Sequence, residues 1–194
     1  MRTHLHFIGI SLSRYKTSYD RLLLDAAGRL LPKDTTFEVR RVTTLPVFND
    51  QYGIPECIYE IADTIKCSSG LYITIPNHIY TCSLTLTNML GWLHALNDYP
   101  LMNKPVAVLG ASKGSFKSFG GHKLIMSQLQ YQGAVTLYRK EANIDQAAQK
   151  FDADGNLLNE ASKFFIWKLM GELVELSQRL GSPLKLFHEE EAKL

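Results

Sequence analysis

The chain contains 194 residues, of which 45% are hydrophobic, 10% aromatic and 21% charged, with 21 basic against 19 acidic side chains. These values are typical of globular domains, so the composition excludes disordered, collagen-like, coiled-coil and disulfide-scaffold proteins. Because the net charge is only +2 and no run of five like charges occurs, the charge pattern does not indicate nucleic acid or an anionic membrane surface as a partner. We expect a small molecule or another protein chain instead.

Cysteine usage and hydropathy bear on the location of the protein. Cys57, Cys67 and Cys82 form neither a C-x-x-C pair nor a set at metal-ligand spacing, which favours three reduced thiols and no metal site. The first residues lack the pattern of a signal peptide, and no apolar stretch reaches the roughly 18 residues of a membrane span. We therefore expect a cytoplasmic protein without membrane association.

The first part of the chain predicts three strands alternating with two helices. Short apolar runs bounded by polar residues indicate the strands, and apolar residues at helical spacing indicate the helices. The predicted elements are a strand from Leu5 to Ile10, a helix from Thr17 or Ser18 to just before Pro32, a strand from Thr36 to Val42, a helix from Pro55 to Cys67 and a strand from Gly70 to Pro76.

The remainder of the chain continues the same alternation. The predicted elements are a helix from Ser83 to Leu96, a strand from Pro105 to Leu109, a glycine-rich loop from Gly110 to Gly121, a helix to about Gln132, a strand from Ala134 to Arg139 and a helix from about Asn159 to Leu180. No internal repeat or linker divides the sequence. We therefore expect a single domain over residues 1–194, with a flexible acidic C-terminal tail from about residue 188.

Strands that are apolar throughout, alternating with helices, indicate a mostly parallel sheet covered on both faces. Five such strands predict an α/β fold of the flavodoxin-like, doubly wound type. In these sheets ligands bind at the carboxyl ends of the strands, where the strand order reverses. The loops at those ends are Ser11 to Ser18, Pro76 to Thr81 and Ala111 to Gly121.

The first of these loops is rich in hydroxyl groups and contains two cationic side chains directly before a helix. Free N–H groups, hydroxyls and the helix dipole favour a bound phosphate at such a place. The alternative is a capped helix preceded by a solvated polar loop, and the residues alone leave both interpretations open. Neither a P-loop nor a Rossmann glycine pattern is present.

Several short segments, taken in order, carry a family resemblance. They are Gly9-Ile10-Ser11 with Ser13, Ser18, Tyr19 and Asp20 in register, Leu45 to Asp50, Ile75 to Tyr80, Leu86 to Leu93, Lys104 to Ala107, Phe119 to Gly121, and Phe151 to Gly155. Over about Leu5 to Leu176 the chain resembles the NADPH-dependent FMN reductase family. The resemblance implies bound FMN, NADPH or NADH as hydride donor, and a quinone, azo compound, free flavin or similar small molecule as acceptor.

The resemblance also implies which residues contact the cofactor. It places Ser11, Ser13, Lys16, Ser18, Tyr19 and Asp20 around the phosphate, Pro76, Asn77, His78, Ile79, Tyr80 and Thr81 along the flavin ring, and Ser112, Lys113, Gly114 and Gly120 on the far side of the ring. It assigns no catalytic acid or nucleophile, because the flavin carries the chemistry. It further implies a homodimer or homotetramer built with the helix from Ser83 to Leu96.

Five positions depart from the family pattern and leave a second interpretation open. Leu12 replaces a glycine, Tyr15 an arginine and Asp20 an asparagine, while Ile79 and Tyr80 alter the second loop. In the first interpretation, backbone donors still bind FMN and the altered side chains tune the choice of acceptor. In the second, the protein has lost FMN and serves as a binding or regulatory module. We expect the first.

Overall fold

The computed structural model describes residues 4–13, 18–32, 34–42, 44–76, 83–112 and 119–181. Strands and helices alternate along these residues, as the sequence predicts. The elements are β1 (Leu5–Ser11), α1 (Tyr19–Arg29), β2 (Thr35–Arg41), α2 (Glu56–Cys67), β3 (Gly70–Pro76), α3 (Leu84–Ala95), β4 (Pro105–Ala111), α4 (Phe119–Tyr131), β5 (Val135–Ile144), a short 3-10 helix (Ala147–Gln149) and α5 (Glu160–Leu180).

The five strands form one parallel sheet in the order β2-β1-β3-β4-β5, which confirms the flavodoxin-like fold. The first connection leads from β1 to β2 at one edge of the sheet, whereas the later connections lead through β3 and β4 to β5 at the other edge. Because crossovers between parallel strands are right-handed, α1 must pack on the face opposite to α2, α3 and α4. The last helix, α5, returns to the face of α1.

Successive strand residues supply the two cores on either side of the sheet. Phe7 and Tyr72 lie with α1 and α5, whereas Ile8, Ile10 and Ile73 lie with α2, α3 and α4. All seven residues of β4 are buried. This two-sided burial explains why the central strands are apolar throughout instead of alternating between apolar and polar residues.

Two strands run further toward their carboxyl ends than the sequence predicts. β4 continues to Ala111 and β5 to Ile144, so the loop predicted from Gly110 begins later. The pairing of β5 shifts between Val108, which lies opposite Tyr138, and Gly110, which lies opposite Asn143. Residues 139–142 therefore include an irregularity in the ladder of backbone hydrogen bonds. Because three of these residues are charged, the sequence pattern does not indicate that the strand continues.

The ring of Phe37 on β2 fixes α1 against the sheet. It occupies the space that a side chain would need at two glycines, because an added Cβ would lie 2.6 Å from the ring at Gly9 and 2.4 Å at Gly28. The same ring makes an edge contact with Tyr72, at 5.6 Å between centroids. The close approach of α1 to β1 and β2 thus depends on the absence of two side chains.

We predict opposite effects for two helical glycine substitutions. Gly28→Ala should lower the free energy of unfolding by about 1–3 kcal/mol, because overpacking against Phe37 outweighs the better helix propensity of alanine. Gly171→Ala in α5 is the control, since nothing lies within 4 Å of an added Cβ there. It should raise the free energy of unfolding by roughly 0.5–1 kcal/mol. Urea denaturation measures both, and equal stabilisation by the two substitutions would contradict the packing described.

Candidate functional site

The carboxyl edge of the sheet brings together residues from three separate loops. β1 ends at Ser11, beside Thr74 of β3, and β3 ends at Pro76, beside Ala111 of β4. α1 and α3 pack on opposite faces of the sheet, so the connections that follow β1 and β3 lead to opposite faces. In a sheet of this strand order, ligands bind in the crevice that is expected between two such connections.

The beginning of α1 lies beside this crevice. Ser18, one of the two predicted starting residues, is the N-cap, and its Oγ accepts a hydrogen bond of 3.3 Å from the backbone N–H of Arg21. The first intrahelical bond runs from the N–H of Leu22 to the carbonyl of Ser18, so the N–H groups of Tyr19 and Asp20 precede it. The N–H of Tyr19 and the hydroxyl proton of Ser18 suit an anion, whereas the N–H of Asp20 donates to the carboxyl of its own side chain.

Two buried hydroxyl groups at the crevice have no hydrogen-bond partner in the part of the chain that the structure describes. Ser11 and Thr74 are fully buried, lie opposite each other in the β1–β3 register, and share the face of the sheet that carries α1. Neither Ser11 Oγ nor Thr74 Oγ1 is hydrogen-bonded. Because an unsatisfied buried hydroxyl costs about 1–3 kcal/mol, this pair marks a place where polar groups are held for something other than packing.

Asp20 is a third buried polar group on the same side of the sheet. It is the second residue of α1 and is 6% exposed, and among the described residues its Oδ1 has no hydrogen-bond partner. Burial raises the pKa of this carboxyl to about 7, although a hydrogen bond from its own backbone N–H acts in the opposite direction. The carboxyl is therefore protonated below about pH 7, and in that form it does not repel a phosphate at the helix start.

The other described candidates occupy the same edge. The ring of Tyr19 packs against Phe151, with centroids 5.9 Å apart. Tyr19 therefore contributes its backbone N–H, and not its side chain, to the start of the helix. Ser112 is buried and anchored to the segment after β5, because its N–H donates to Ile144 and its carbonyl accepts from Ala147. Three further candidates are placed as follows: Ser13 is half-buried just beyond β1, Pro76 ends β3, and Gly120 lies in the first turn of α4.

Eight predicted site residues lie outside the described residues. They are Lys16, Asn77, His78, Ile79, Tyr80, Thr81, Lys113 and Gly114. Of the five departures from the family pattern, the structure describes Leu12 and Asp20. The side chain of Leu12 is buried in the core on the α2 and α3 face, and it therefore does not cover the α1 face on which Ser11 and Thr74 lie.

Sequence reasoning missed Thr74. A signal was present in the sequence. From Leu71 to Pro76 every residue except Thr74 has an aliphatic or aromatic side chain, and the strand must be buried on both faces. A hydroxyl two residues before the end of such a strand indicates a polar group held near the edge of the sheet where ligands bind.

Within the described ranges, no group of three or more metal-ligating side chains occurs, and no helix there is long and apolar enough to cross a membrane. The groups at the crevice are hydroxyls, N–H groups and one carboxyl of raised pKa. This donor set fits the phosphate of a mononucleotide better than it fits a cation.

Comparison with known proteins places this chain in a family. The sequence pattern of the NADPH-dependent FMN reductase family matches residues 6–149. An NAD(P)H-dependent FMN reductase of Pseudomonas aeruginosa is 26% identical over 183 residues, covering 93% of this chain and 99% of the relative. A 2-hydroxy-1,4-benzoquinone reductase of Burkholderia is 23% identical over 158 residues, covering 80% of this chain and 86% of the relative.

The fold has a solved counterpart in the flavoenzyme NAD(P)H:(acceptor) oxidoreductase FerB of Paracoccus denitrificans. The two superpose with a TM-score of 0.79 at 20% sequence identity, covering 91% of this chain and 98% of that one. At 20% identity the structural similarity shows a shared fold and no more. The assignment to a family rests on the match to the family's sequence pattern. With its five-stranded sheet and the match over residues 6–149, the chain belongs to the NADPH-dependent FMN reductase family.

Proposed function

We propose that the protein is an NAD(P)H-dependent oxidoreductase that contains FMN and reduces a quinone, an azo compound, a free flavin or a similar small acceptor. The observation that carries this proposal is the pair of unpartnered hydroxyls, Ser11 Oγ and Thr74 Oγ1, beside the start of α1 at the point of strand reversal. Family membership and the named activities of the two sequence relatives support it.

The residues proposed to contact FMN are those of the three loops at the crevice. The phosphate group comprises Ser11, Ser13, Lys16, Ser18, Tyr19 and Asp20, the ring group Pro76, Asn77, His78, Ile79, Tyr80 and Thr81, and the far side Ser112, Lys113, Gly114 and Gly120. Bound FMN supplies the capacity to accept a hydride from a nicotinamide and to pass electrons on. The protein itself binds, orients and shields the FMN, and we assign no residue a catalytic proton transfer.

The start of α1 serves as the phosphate anchor in this proposal. Ser18 accepts from the N–H of Arg21 through Oγ and still has a hydroxyl proton to donate, and the N–H of Tyr19 precedes the first intrahelical hydrogen bond. Hydrogen bonds to a charged group are worth about 1.5–3 kcal/mol. This anchor therefore contributes a measurable share of the affinity for FMN.

We predict that Ser18→Ala weakens FMN binding by about tenfold or more, because it removes a hydroxyl donor and loosens the first turn of α1. The matched control is Asn159→Ala, which removes the N-cap of α5, whose side chain accepts from the N–H of Ser162 at 2.9 Å. Each variant should lose about 1 kcal/mol of stability, but only Ser18→Ala should lose FMN affinity. Quenching of FMN fluorescence gives the dissociation constants.

The activity itself is tested on purified protein supplied with FMN and then desalted. The proposal requires a flavin absorbance spectrum that survives desalting, and oxidation of NADPH or NADH in the presence of a benzoquinone, an azo dye or free FMN. A colourless protein that oxidises neither nucleotide with any of these acceptors would refute it. That result would favour the flavin-free binding or regulatory module.

The proposal extends to a cytoplasmic protein of one domain that forms homodimers or homotetramers through α3. An exposed apolar surface adjoins this helix: Val47 is 86% and Leu84 is 85% exposed. The loop bearing Val47 is fastened to α3, because Asn88 accepts from the N–H of Phe48 and donates to the carbonyl of Pro46. Leu84 lies one turn before Asn88 on the same side of the helix, so these side chains belong to one surface.

We predict that Leu84→Glu converts a dimer to a monomer, because it places a charge in an apolar contact. Leu158→Glu is the control, since Leu158 is also exposed, at 56%, but lies before α5 on the opposite face of the sheet. Light scattering coupled to size-exclusion chromatography measures the mass of each variant. A wild-type protein that is monomeric at all concentrations would exclude a dimer through α3.

A further inference from the structure

We propose that Asp20 makes cofactor binding take up a proton, so that the affinity for FMN falls as pH rises above neutrality while the affinity for riboflavin does not. This inference rests on the proposed function and adds to it a residue that regulates occupancy of the site. FMN and riboflavin differ only in the phosphate dianion, which riboflavin lacks. A comparison of the two ligands therefore isolates the effect of Asp20 on the phosphate.

The geometry singles out Asp20 from the other carboxylates of α1. Its side chain is buried in the first turn of the helix, and Oδ1 has no hydrogen-bond partner. One turn later, Asp25 is paired with Arg21 at 3.1 Å and is partly exposed. Asp20 therefore shares the helix start with the proposed phosphate anchor but has no cation on its own helix to balance an ionised carboxylate.

The elements packed around α1 offer Asp20 no ion pair among the described residues. β4 contains no ionisable side chain. Four groups have partners of their own: His6 on β1 with Thr36, Tyr72 on β3 with the carbonyl of Met170, Lys150 with Asp145 after β5, and Lys163 with Glu160 on α5. Two further cations are exposed: Arg41, which ends β2 opposite Ser11, and Lys168 on α5. Arg14 and Lys16 precede the helix but lie outside the described residues. A pair between either cation and Asp20 would abolish the pH dependence.

The sign of the effect follows from the charge that the ligand brings. Burial raises the pKa of Asp20 to about 7, so the carboxyl is partly ionised at neutral pH. A phosphate dianion nearby repels the ionised form and raises the pKa further. Below pH 7 the carboxyl is already protonated and binding needs no proton. Above pH 7 a proton must be taken up, and each pH unit weakens binding by at most about tenfold.

The deciding experiment measures dissociation constants for FMN and riboflavin between pH 7 and 8.5. For the wild-type protein we expect FMN affinity to fall by about tenfold over this range and riboflavin affinity to stay constant. Asp20→Asn should bind FMN with little pH dependence, because asparagine keeps the shape of the neutral acid. Asp25→Asn, the control on the same helix, should behave as the wild type. The second ionisation of a phosphate lies near pH 6, so the ligand remains a dianion throughout.

The outcomes separate this inference from the proposed function. FMN binding that is independent of pH in the wild-type protein, or equally dependent in Asp20→Asn, would overturn the inference and leave the flavin function standing. Failure of both flavins to bind at any pH would overturn both.

Thermal unfolding of the ligand-free protein provides a second test. The pKa of Asp20 is higher in the folded than in the unfolded chain, so stability should fall as pH rises from about 4 to 7 and stay low above that range. Asp20→Asn should therefore melt higher than the wild type at pH 8, with a difference that shrinks toward pH 5. A difference that is the same at both pH values would show that Asp20 does not titrate in this range and would overturn the inference.

Discussion

Strand β1 has hydrogen-bonded neighbours on both sides because the chain first moves outward to β2 and then turns back past β1 to β3. Right-handed crossovers force α1 and α2 onto opposite faces, and the loops that leave β1 and β3 must separate. A crevice at this edge is therefore a consequence of connectivity and needs no particular side chain. What the sequence adds is the set of groups that line it, and on the α1 face these are Ser11, Thr74 and Asp20.

These three residues lower the stability of the face on which they lie. The remainder of that face is filled largely by apolar side chains of the sheet, α1 and α5, and Phe37 lies at close range to β1 and α1. Valine or alanine at position 74 would satisfy such a core better than a hydroxyl without a partner. Buried polar groups that weaken a core are common where a ligand must be held, because the free energy lost in folding is regained on binding.

Much of this architecture follows from local sequence patterns. Apolar strands with helical spacing between them predict the five-stranded sheet, and the hydroxyl at Ser18 predicts the start of α1. Features that depend on distant contacts do not follow from such patterns. β5 continues beyond its charged residues because β4 offers a further stretch of ladder, and Leu12 turns into the opposite core because strand alternation directs it there.

The candidate site was predictable only in part, for the same reason. Ser11, Ser18 and Asp20 belong to one stretch of sequence and can be assigned together, whereas Thr74 becomes a site residue only through its register with Ser11. The state of Asp20 is a property of burial, and no residue adjacent in sequence reveals that its pKa rises.

Strand β2 forms one edge of the sheet, with a row of backbone groups that no neighbouring strand satisfies. Its charged residues are Glu38, which is half-buried, and the exposed Arg40 and Arg41, and an ion pair of 2.9 Å joins Glu38 to Arg40. Charged side chains along such an edge hinder a second chain from adding its own strand, which is the first step toward fibrous aggregates. The placement of these charges therefore protects the open edge of the sheet from being extended by other copies of the chain.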